Sequence, residues 1–381
     1  MHHHEHPGAG WTQRRSLLLA GAATGLALGF LALQPAQAAD SAAKTATSAA
    51  DLGGMEKLVA AAKAEGELNV IALPPDWANY GAMIETFTKK YGIKINSAQP
   101  DASSQDEINA AKQLKGQGRA PDVFDLGPNV ALRNTDLFAP YKVVTWADVP
   151  DALKDPKGLW VSDYGGYMSI GYDAAKVPAI TKVDDLLKPE FRGKVALNGN
   201  PTQASAAFHG VMMAAIANGG SADNIAPGVD FFAKLQKAGN FLPVDPTPAT
   251  IASGQTPVVI DWEYLNVAQS QSLKGKLDWK LVVPEGGVVG SFYIQAINKD
   301  APHPAAARLW QEFLYSDEGQ NLWLKGAARP VRLDAMVKAG TADKEALAAL
   351  PKVSGTPVYL TQDQFRSQQE YLVEHWDEAV Q

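Results

Sequence analysis

Four consecutive residues, Asp261, Trp262, Glu263 and Tyr264, place two carboxylates beside two aromatic rings at the end of an apolar run. Such groups suit an ammonium ligand, because a ring face attracts a cation by about 0.5–2 kcal/mol and a carboxylate adds charge-assisted hydrogen bonds. If a strand continues through them, the acids lie on one face and the rings on the other. The alternative is a helix that begins here, with the acids near its positive end and Trp262 in the core.

Two other pairs, Ser103-Ser104 and Thr202-Gln203, lie where the sequence predicts helix starts. Free backbone N–H groups and hydroxyls at such places bind phosphate or carboxylate well. The same residue types also serve as ordinary N-caps, so both interpretations stay open. A solute with both an amine and an anionic group, such as an amino acid or an aminophosphonate, would use both kinds of residue.

Several kinds of chemistry lack the residues that they need. The chain has no cysteine, which excludes disulfides, thiolate metal sites and cysteine nucleophiles. His209 and His303 have no second histidine or acid at a ligand spacing, so we expect no metal and no cofactor. Nucleophile-elbow, zinc-protease, Walker A and dinucleotide-binding motifs do not appear. A secreted hydrolase that uses aspartate or glutamate is the remaining enzyme hypothesis, and we expect a non-catalytic protein instead.

Other conspicuous side chains have structural interpretations. Trp310, Phe313 and Trp323 recur at helical spacing, which is typical of core packing. Arg329 and Arg332 flank a proline, and we expect them to anchor the tail by salt bridges; the alternative is an anionic group in a ligand cleft.

Composition is that of a soluble globular protein. The 381 residues are 46% hydrophobic and 20% charged, with a formal net charge of -7. This balance argues against a nucleic-acid partner, which would require a basic patch. The length is sufficient for two lobes, each with its own core.

The N-terminus has the features of an export signal. Arg14-Arg15 precedes an apolar run over residues 17–33, and the small-residue triplet Ala36-Gln37-Ala38 follows. Charge, apolar region and cleavage triplet in this order predict a signal peptide over residues 1–38, and the twin arginine indicates the Tat pathway. An uncleaved membrane anchor is the alternative. The Ala, Ser and Thr-rich residues 39–52 are expected to form a flexible lead-in.

Short β-like runs alternate with helical stretches after this segment. In the first part of the chain we predict strands at 68–73, 93–95 and 121–126, and helices at 55–65, 80–91 and from 103–106 to 114. The order predicts a parallel sheet with helices on both faces. Ligands of such sheets bind outside the carboxyl ends of the strands, where the loops 74–80, 103–107 and 126–129 lie.

The second part of the chain continues the alternation. An extended, glycine-rich stretch covers residues 164–172. We predict further strands at 194–197, 257–261, 279–283 and 292–298, and helices at 204–217, 231–238 and 304–325.

Three of these segments carry a family resemblance. They read D-D-L-L-K-P-E-F-R-G-K-V-A-L at 184–197, W-K-L-V-V-P-E-G-G-V-V-G-S-F-Y-I-Q-A-I-N-K-D-A-P-H-P at 279–304, and A-A-A-R-L-W-Q-E-F-L-Y-S-D-E-G-Q at 305–320. The chain resembles the family 1 extracellular solute-binding proteins, which include iron, thiamine, polyamine and phosphonate receptors. The resemblance covers about residues 53–377, and the helix followed by S-D-E-G-Q is its most specific part.

The resemblance implies an α/β fold with two Rossmann-like lobes joined by two crossing strands, the type II periplasmic binding protein or Venus-flytrap fold. Lobe 1 would comprise residues 53–163 plus 292–381, and lobe 2 residues 164–291. The crossing strands would lie near 163–170 and 291–297. It also implies an extracytoplasmic monomer that binds a small solute, closes over it and docks on an ABC permease.

Three groups of side chains could then meet in the cleft between the lobes. Lobe 1 would contribute Asp76, Trp77, Tyr80, Ser103, Ser104 and Asp106. Lobe 2 would contribute Thr202, Gln203, Asp261, Trp262, Glu263 and Tyr264, and the hinge Tyr164, Tyr167, Phe292 and Tyr293.

The resemblance to individual receptors is incomplete. The iron receptors carry an adjacent tyrosine pair in lobe 2, and no Tyr-Tyr pair occurs here. Polyamine receptors carry an acid in the return strand, where this chain has Ser291-Phe292-Tyr293. We therefore expect an amine or amino-containing solute, polyamines included but smaller amines favoured, and the alternative is an anionic solute such as a phosphonate or sugar phosphate.

Overall fold

The computed structural model describes residues 42–380. The predicted signal peptide, its Tat motif and its membrane-anchor alternative therefore lie outside the described residues. Within 42–380, no helix has the length and apolar content that crossing a bilayer requires. The strands are β1 (Glu67–Ile71), β2 (Lys94–Ala98), β3 (Val123–Leu126), β4 (Phe138–Ala139), β5 (Val161–Asp173), β6 (Val195–Leu197), β7 (Val258–Trp262), β8 (Trp279–Val282), β9 (Gly290–Asn298) and β10 (Arg329–Pro330).

Helices connect and cover these strands. They are α1 (Met55–Glu65), α2 (Tyr80–Tyr91), α3 (Ser104–Gln113), α4 (Pro128–Ala131), α5 (Ser205–Ala217), α6 (Ala226–Lys237), α7 (Pro248–Ala252), α8 (Glu263–Ser272), α9 (Pro304–Leu314), α10 (Asp317–Lys325), α11 (Leu333–Ala339), α12 (Lys344–Ala349) and α13 (Gln362–Ala379). Short 3-10 helices occur at Ala49–Leu52, Thr135–Leu137, Trp146–Asp148, Asp151–Leu153, Val183–Leu187 and Pro189–Phe191.

The first two helices form where their periodicity predicts them. Each ends at a glycine in the left-handed conformation, Gly66 with φ 77° after α1 and Gly92 with φ 70° after α2. Glycine adopts this conformation without a Cβ clash and so ends a helix cleanly. The long helix predicted at 304–325 is instead two helices, because Ser316 caps a new start with its hydroxyl, which accepts the Gly319 N–H at 3.1 Å.

The predicted parallel sheet is only partly correct. β1 and β2 pair in parallel as a two-stranded sheet, but β3 pairs antiparallel with β9 in the larger sheet. Asp122 interrupts the pairing of β1 with β3. Its carboxylate accepts the Asn69 N–H at 2.6 Å, in place of a backbone carbonyl from a neighbouring strand. One backbone bond, from Asp122 N–H to Asn69 O, still joins β1 to the residues before β3.

The larger sheet is mixed and follows the order β3-β9-β5-β7-β6, with β4 added to β9 and both β8 and β10 to β5. β5 is its longest strand. The first part of β5 pairs with β9 and β10, and the part from Met168 onward pairs with β7 and β8. One strand thus belongs to two groups of partners, and β9 runs beside its first part.

Two adjacent glycines of β5 lie directly against neighbouring segments. A Cβ on Gly165 would lie 2.0 Å from the Ser291 carbonyl oxygen, and one on Gly166 would lie 2.4 Å from Glu263 Oε2. Only glycine fits at these two positions, which explains the Gly-Gly pair in the extended stretch.

The C-terminal helix α13, predicted in lobe 1, packs against helices predicted in lobe 2. Its Phe365 packs on Phe208 of α5, and its Trp376 packs on Phe232 of α6. The assignment of all of residues 292–381 to lobe 1 does not account for these contacts with predicted lobe 2 segments. The lobe boundaries stay a prediction. Trp310, Phe313 and Trp323 are buried in the core, as predicted.

Candidate functional site

A cavity of about 520 Å³ lies at the carboxyl end of β3 and between segments that are far apart in sequence. One wall comes from residues 72–77 and 100–107, and the facing wall from residues 198–206, 245–251 and 261–269. Asp125 and Tyr293 complete the lining. The loops 74–80 and 103–107, expected at a ligand site from the strand order, contribute to it.

Acids are the only charged side chains among the described residues that line the cavity. None of the described residues that line it is a lysine, an arginine or a histidine. The acids are Asp76, Asp101, Asp106, Glu107, Asp125, Asp245 and Asp261. Because no cation in the lining offsets these carboxyl groups, the empty cavity favours positive charge.

Asp125 is the buried acid at the end of β3. Its Oδ2 accepts a hydrogen bond from Tyr164 Oη at 3.0 Å, and Tyr164 Oη in turn accepts one from Trp77 Nε1 at 2.7 Å. Its Oδ1 is buried and has no hydrogen-bond partner in the described part of the chain. Burial raises the pKa of Asp125 above its usual value. A buried carboxyl oxygen without a partner can accept a donor from a ligand.

Asp261 occupies the facing wall, at the end of β7. Its Oδ2 accepts from Asn198 Nδ2 at 2.9 Å, and its Oδ1 accepts from the Trp262 backbone N–H at 2.8 Å. Burial raises the pKa of Asp261 to about 7, against the smaller opposite effect of these hydrogen bonds. A nearby cation would return this carboxyl group to its ionised form.

Two aromatic residues, Trp77 and Tyr293, contribute ring surface to the cavity. Their ring centroids lie 5.8 Å apart with an interplanar angle of 78°. Tyr293 Oη also accepts a hydrogen bond from Trp262 Nε1 at 3.3 Å. The rings are therefore held in place by polar as well as apolar contacts.

At the helix starts that suggested an anion site, the hydroxyls of Ser103 and Thr202 donate to neighbouring side chains. Ser103 is the N-cap of α3, and its Oγ accepts from Asp106 N–H and donates to Asp106 Oδ2. Ser104 Oγ accepts the Gly127 N–H at 3.0 Å. Thr202 lies outside the cavity lining, where its Oγ1 donates to Asn200 Oδ1 at 2.8 Å. The capping interpretation of Ser103 is correct.

Seven of the fifteen residues predicted to bind ligand line the cavity: Asp76, Trp77, Ser103, Ser104, Gln203, Asp261 and Tyr293. Asp106 also lines it. Eight do not: Tyr80, Tyr164, Tyr167, Thr202, Trp262, Glu263, Tyr264 and Phe292. Ligand contact by any of the fifteen stays a prediction, and the eight carry no part of the proposal below.

Of the four residues 261–264, only Asp261 lines the cavity, because a helix begins within this segment. Trp262 is the N-cap of α8 and is buried in the core, so the interpretation as a helix start applies and the continued strand does not. Glu263 accepts the Tyr167 N–H and pairs with Arg329 at 3.3 Å. Burial raises the pKa of Glu263 to about 7, despite the guanidinium beside it.

The remaining predicted residues that lie outside the cavity have structural contacts. Tyr80 is buried, and its Oη accepts from Gln295 Nε2 at 3.1 Å. Tyr264 is buried against Trp77, with ring centroids 6.1 Å apart. Phe292 stacks on Tyr359.

Sequence reasoning missed several lining residues, among them Asp101, Glu107, Asp125, Asn198, Asp245, Asn266 and Gln269. A signal existed for Asp125, which ends the predicted strand P-D-V-F-D-L directly before a loop expected at the site. Within residues 42–380, no three His, Cys, Asp or Glu side chains converge closely enough to hold a metal ion.

Comparison with known proteins gives one matching family and several similar solved structures. A family model described as bacterial extracellular solute-binding protein matches residues 121–353. Similar solved structures include iron-bound HitA from Pseudomonas aeruginosa, at 22% identity, 82% of this chain, 98% of that chain and a TM-score of 0.59. AfuA from Actinobacillus pleuropneumoniae with fructose-6-phosphate bound is 19% identical, with 82% of this chain and 98% of that chain covered and a TM-score of 0.64. A Listeria monocytogenes protein described as a putative spermidine/putrescine ABC transporter is 14% identical, with 82% of this chain and 98% of that chain covered and a TM-score of 0.63. The three differ in ligand and share a fold with this chain.

Proposed function

Since the chain belongs to the bacterial extracellular solute-binding proteins, which have the type II periplasmic binding protein fold and deliver solutes to ABC importers without catalysis, we propose that its solute is a small cationic amine bound in the acidic cavity. Membership of this family removes the secreted-hydrolase alternative.

The observation that carries the proposal is the acidic character of the lining, seven carboxyl groups and no base among the described lining residues. Burial raises the pKa of Glu107, Asp125 and Asp261, and a bound cation would favour their ionised forms. A unit charge 4 Å from one carboxylate interacts by about 4 kcal/mol at an effective dielectric constant near 20. The sign is favourable for an ammonium group and unfavourable for a phosphate. Ser103 donates its hydroxyl hydrogen to Asp106 Oδ2, which leaves it less available to an anion.

Size and ring surface support a compact amine. A cavity of about 520 Å³ is of the size that holds a small molecule. Trp77 and Tyr293 offer aromatic surface, and a cation over such a ring gains about 0.5–2 kcal/mol. The polyamine receptors' acid in the return strand has no counterpart in Ser291-Phe292-Tyr293, so we favour a compact amine over a long polyamine.

The working mechanism is closure of two walls over the solute. We assign residues 72–77, 100–107 and 125 to lobe 1, and residues 198–206, 245–251 and 261–269 to lobe 2. The double pairing of β5 and the course of β9 beside it support these two strands as the crossing connections. Contacts that exist only when both walls meet the solute favour the closed form.

A thermal-shift screen of the purified protein tests the proposal. The panel holds small amines, quaternary ammonium compounds, polyamines, amino acids, phosphonates, sugar phosphates, thiamine and ferric iron. A solute at a hundredfold excess over its Kd stabilises the folded state by about 2.7 kcal/mol, and we expect this only for cationic amines.

Asp261→Asn is the diagnostic variant, because it removes a lining charge and keeps the shape. Asp278→Asn is its matched control, since Asp278 lies outside the cavity and its side chain is 59% exposed. We expect the amine shift to fall in the first variant and to persist in the second. A shift with phosphonates or sugar phosphates alone would overturn the cationic proposal.

A further inference from the structure

Two carboxyl groups lie buried together behind the cavity. Asp125 ends β3 and is 6% exposed, and Asp163 on β5 is fully buried. Asp163 Oδ1 accepts the Tyr164 N–H at 2.6 Å, and its Oδ2 accepts from Gln295 Nε2 at 3.0 Å. Asp163 has both oxygens occupied, whereas Asp125 lines the cavity and its buried Oδ1 has no hydrogen-bond partner among the described residues.

No positive group accompanies this pair. The titratable groups that act on it come from several neighbouring elements, and among the described residues none of them is a lysine, an arginine or a histidine. They are Glu107 from α3, Tyr80 from α2, Tyr164 from β5, Tyr293 from β9, Tyr264 from α8 and Tyr315 after α9.

Buried carboxylates without a counter-ion are unfavourable. Such groups take up a proton and become neutral, because the desolvation cost of the charge is otherwise uncompensated. Burial raises the pKa of both acids, and the charge of Asp125 raises that of Asp163 further. When the cavity is empty, the pair therefore holds protons at a pH where ordinary aspartates have lost them.

We propose that the solute's ammonium group binds at Asp125 Oδ1 in exchange for a proton from the Asp125–Asp163 pair. This inference rests on the proposed function and adds which residue releases a proton and which group of the solute replaces it. The O–H bond of Asp125 breaks, its proton leaves through the cavity to solvent, and the ammonium donates a hydrogen bond to the carboxylate that remains. Asp163 stays protonated and acts as a positioning residue.

The exchange makes binding depend on pH in a defined direction. Below the pKa of Asp125 in the solute-free protein, each unit of pH increase favours binding about tenfold, since one proton must leave. Above that pKa the affinity is constant. An ordinary aspartate, with a pKa of about 3.9, would give no such dependence between about pH 5 and pH 7.

Isothermal titration calorimetry at pH 6 tests this with two probes, putrescine and methylamine. Both are fully protonated at this pH and have N–H donors, so any proton released on binding comes from the protein. Titrations in phosphate and in MES buffer, which differ in ionisation enthalpy, count the protons. We expect close to one proton released per solute bound, and a Kd that falls about tenfold per pH unit from about pH 5.

Three variants locate the proton. Asp125→Asn should abolish the release and weaken binding at least tenfold. Asp163→Ala should retain binding but move the pH dependence to higher pH, because the hydrogen bond by which Asp163 lowers the pKa of Asp125 is gone. Asp278→Asn, outside the cavity, should match the unaltered protein. A pH dependence unchanged in Asp163→Ala would overturn the role of the pair.

The failure of this inference is distinguishable from that of the proposed function. Binding of either probe without proton release, or with release retained in Asp125→Asn, overturns the exchange and leaves the amine receptor standing. Absence of binding by every cation overturns both. In the solute-free protein, the carbon-13 resonance of the Asp125 carboxyl group, assigned through Asp125→Asn, gives a separate check, and titration near the ordinary value would overturn the exchange.

Discussion

The guanidinium of Arg329 lies beside the buried carboxyl group of Glu263, and its removal gives a prediction with a worked magnitude. Arg329 Nε lies 3.3 Å from Glu263 Oε1, with the Glu263 side chain 0% exposed and that of Arg329 21% exposed. Loss of one partner from a buried ion pair costs about 3–5 kcal/mol. Partial exposure of Arg329 screens the pair, so we expect Arg329→Met to lose about 3 kcal/mol at pH 8, the lower end of that range.

The pH dependence of this loss follows from the pKa of Glu263. Its folded value of about 7 lies above the ordinary value of 4.5, so the folded state binds the proton more tightly than the unfolded chain. The stability that the protonated form contributes is present below about pH 4.5 and is lost as pH rises through about 7. At pH 5.5 Glu263 is neutral, and the variant should lose only about 1 kcal/mol, from the hydrogen bond of Arg329 to the Pro351 carbonyl.

Urea denaturation at pH 5.5 and pH 8 measures both values. The double variant Glu263→Gln/Arg329→Met should recover more than half of the loss at pH 8, because no buried charge then remains. Equal losses at the two pH values would refute the reasoning. So would a double variant that is as unstable as the sum of its single changes.

Three further predictions concern other contacts. Gly165→Ala should lower the free energy of unfolding by several kcal/mol or prevent folding, because the added Cβ would lie 2.0 Å from the Ser291 carbonyl oxygen. Its control, Gly118→Ala, should change little, because a Cβ added at Gly118 has no atom within 4 Å. Circular dichroism during urea titration compares the two variants. Gln369→Ala should cost about 1–3 kcal/mol by the same assay, since Gln369 bonds both Asn129 and the Thr202 carbonyl, whereas the exposed Gln362→Ala should stay within about 0.5 kcal/mol. Trp77→Ala should weaken amine binding by about 0.5–2 kcal/mol in calorimetry, and Trp77→Phe should retain most of the affinity because a ring remains; equal affinity in Trp77→Ala would contradict a ring contact.

Elements with strong local signals were predictable from the sequence. α1 and α2 have the predicted bounds, because an apolar stripe and a terminal glycine agree in each. The pairing of β3 was not predictable in the same way. Its antiparallel partner β9 comes from a distant part of the chain, and the side chain of Asp122 blocks the local parallel alternative.

The candidate site shows the same division. Asp261 was predicted because acids and rings adjoin it, and it lines the cavity. Glu263, two residues on, belongs to the first turn of α8 and is directed to Arg329 instead. Asp125 escaped prediction because an acid within an apolar strand gives no periodic signal, and its exposure to the cavity depends on packing of Tyr164 and Tyr293 from later strands.

The antiparallel pairing of β3 with β9 has a consequence for biosynthesis. Leu126 pairs with Ile294, so β3 leaves the ribosome long before its partner and has an open edge until β9 follows. The intervening residues contain β6, β7 and β8, which pair with one another or with β5 and can assemble first. Long sequence separation slows folding, and an unpaired apolar edge invites association with other chains. We expect the nascent chain to depend on chaperones until about residue 298 has been synthesised, and the Val123–Leu126 strand to be the segment that they protect.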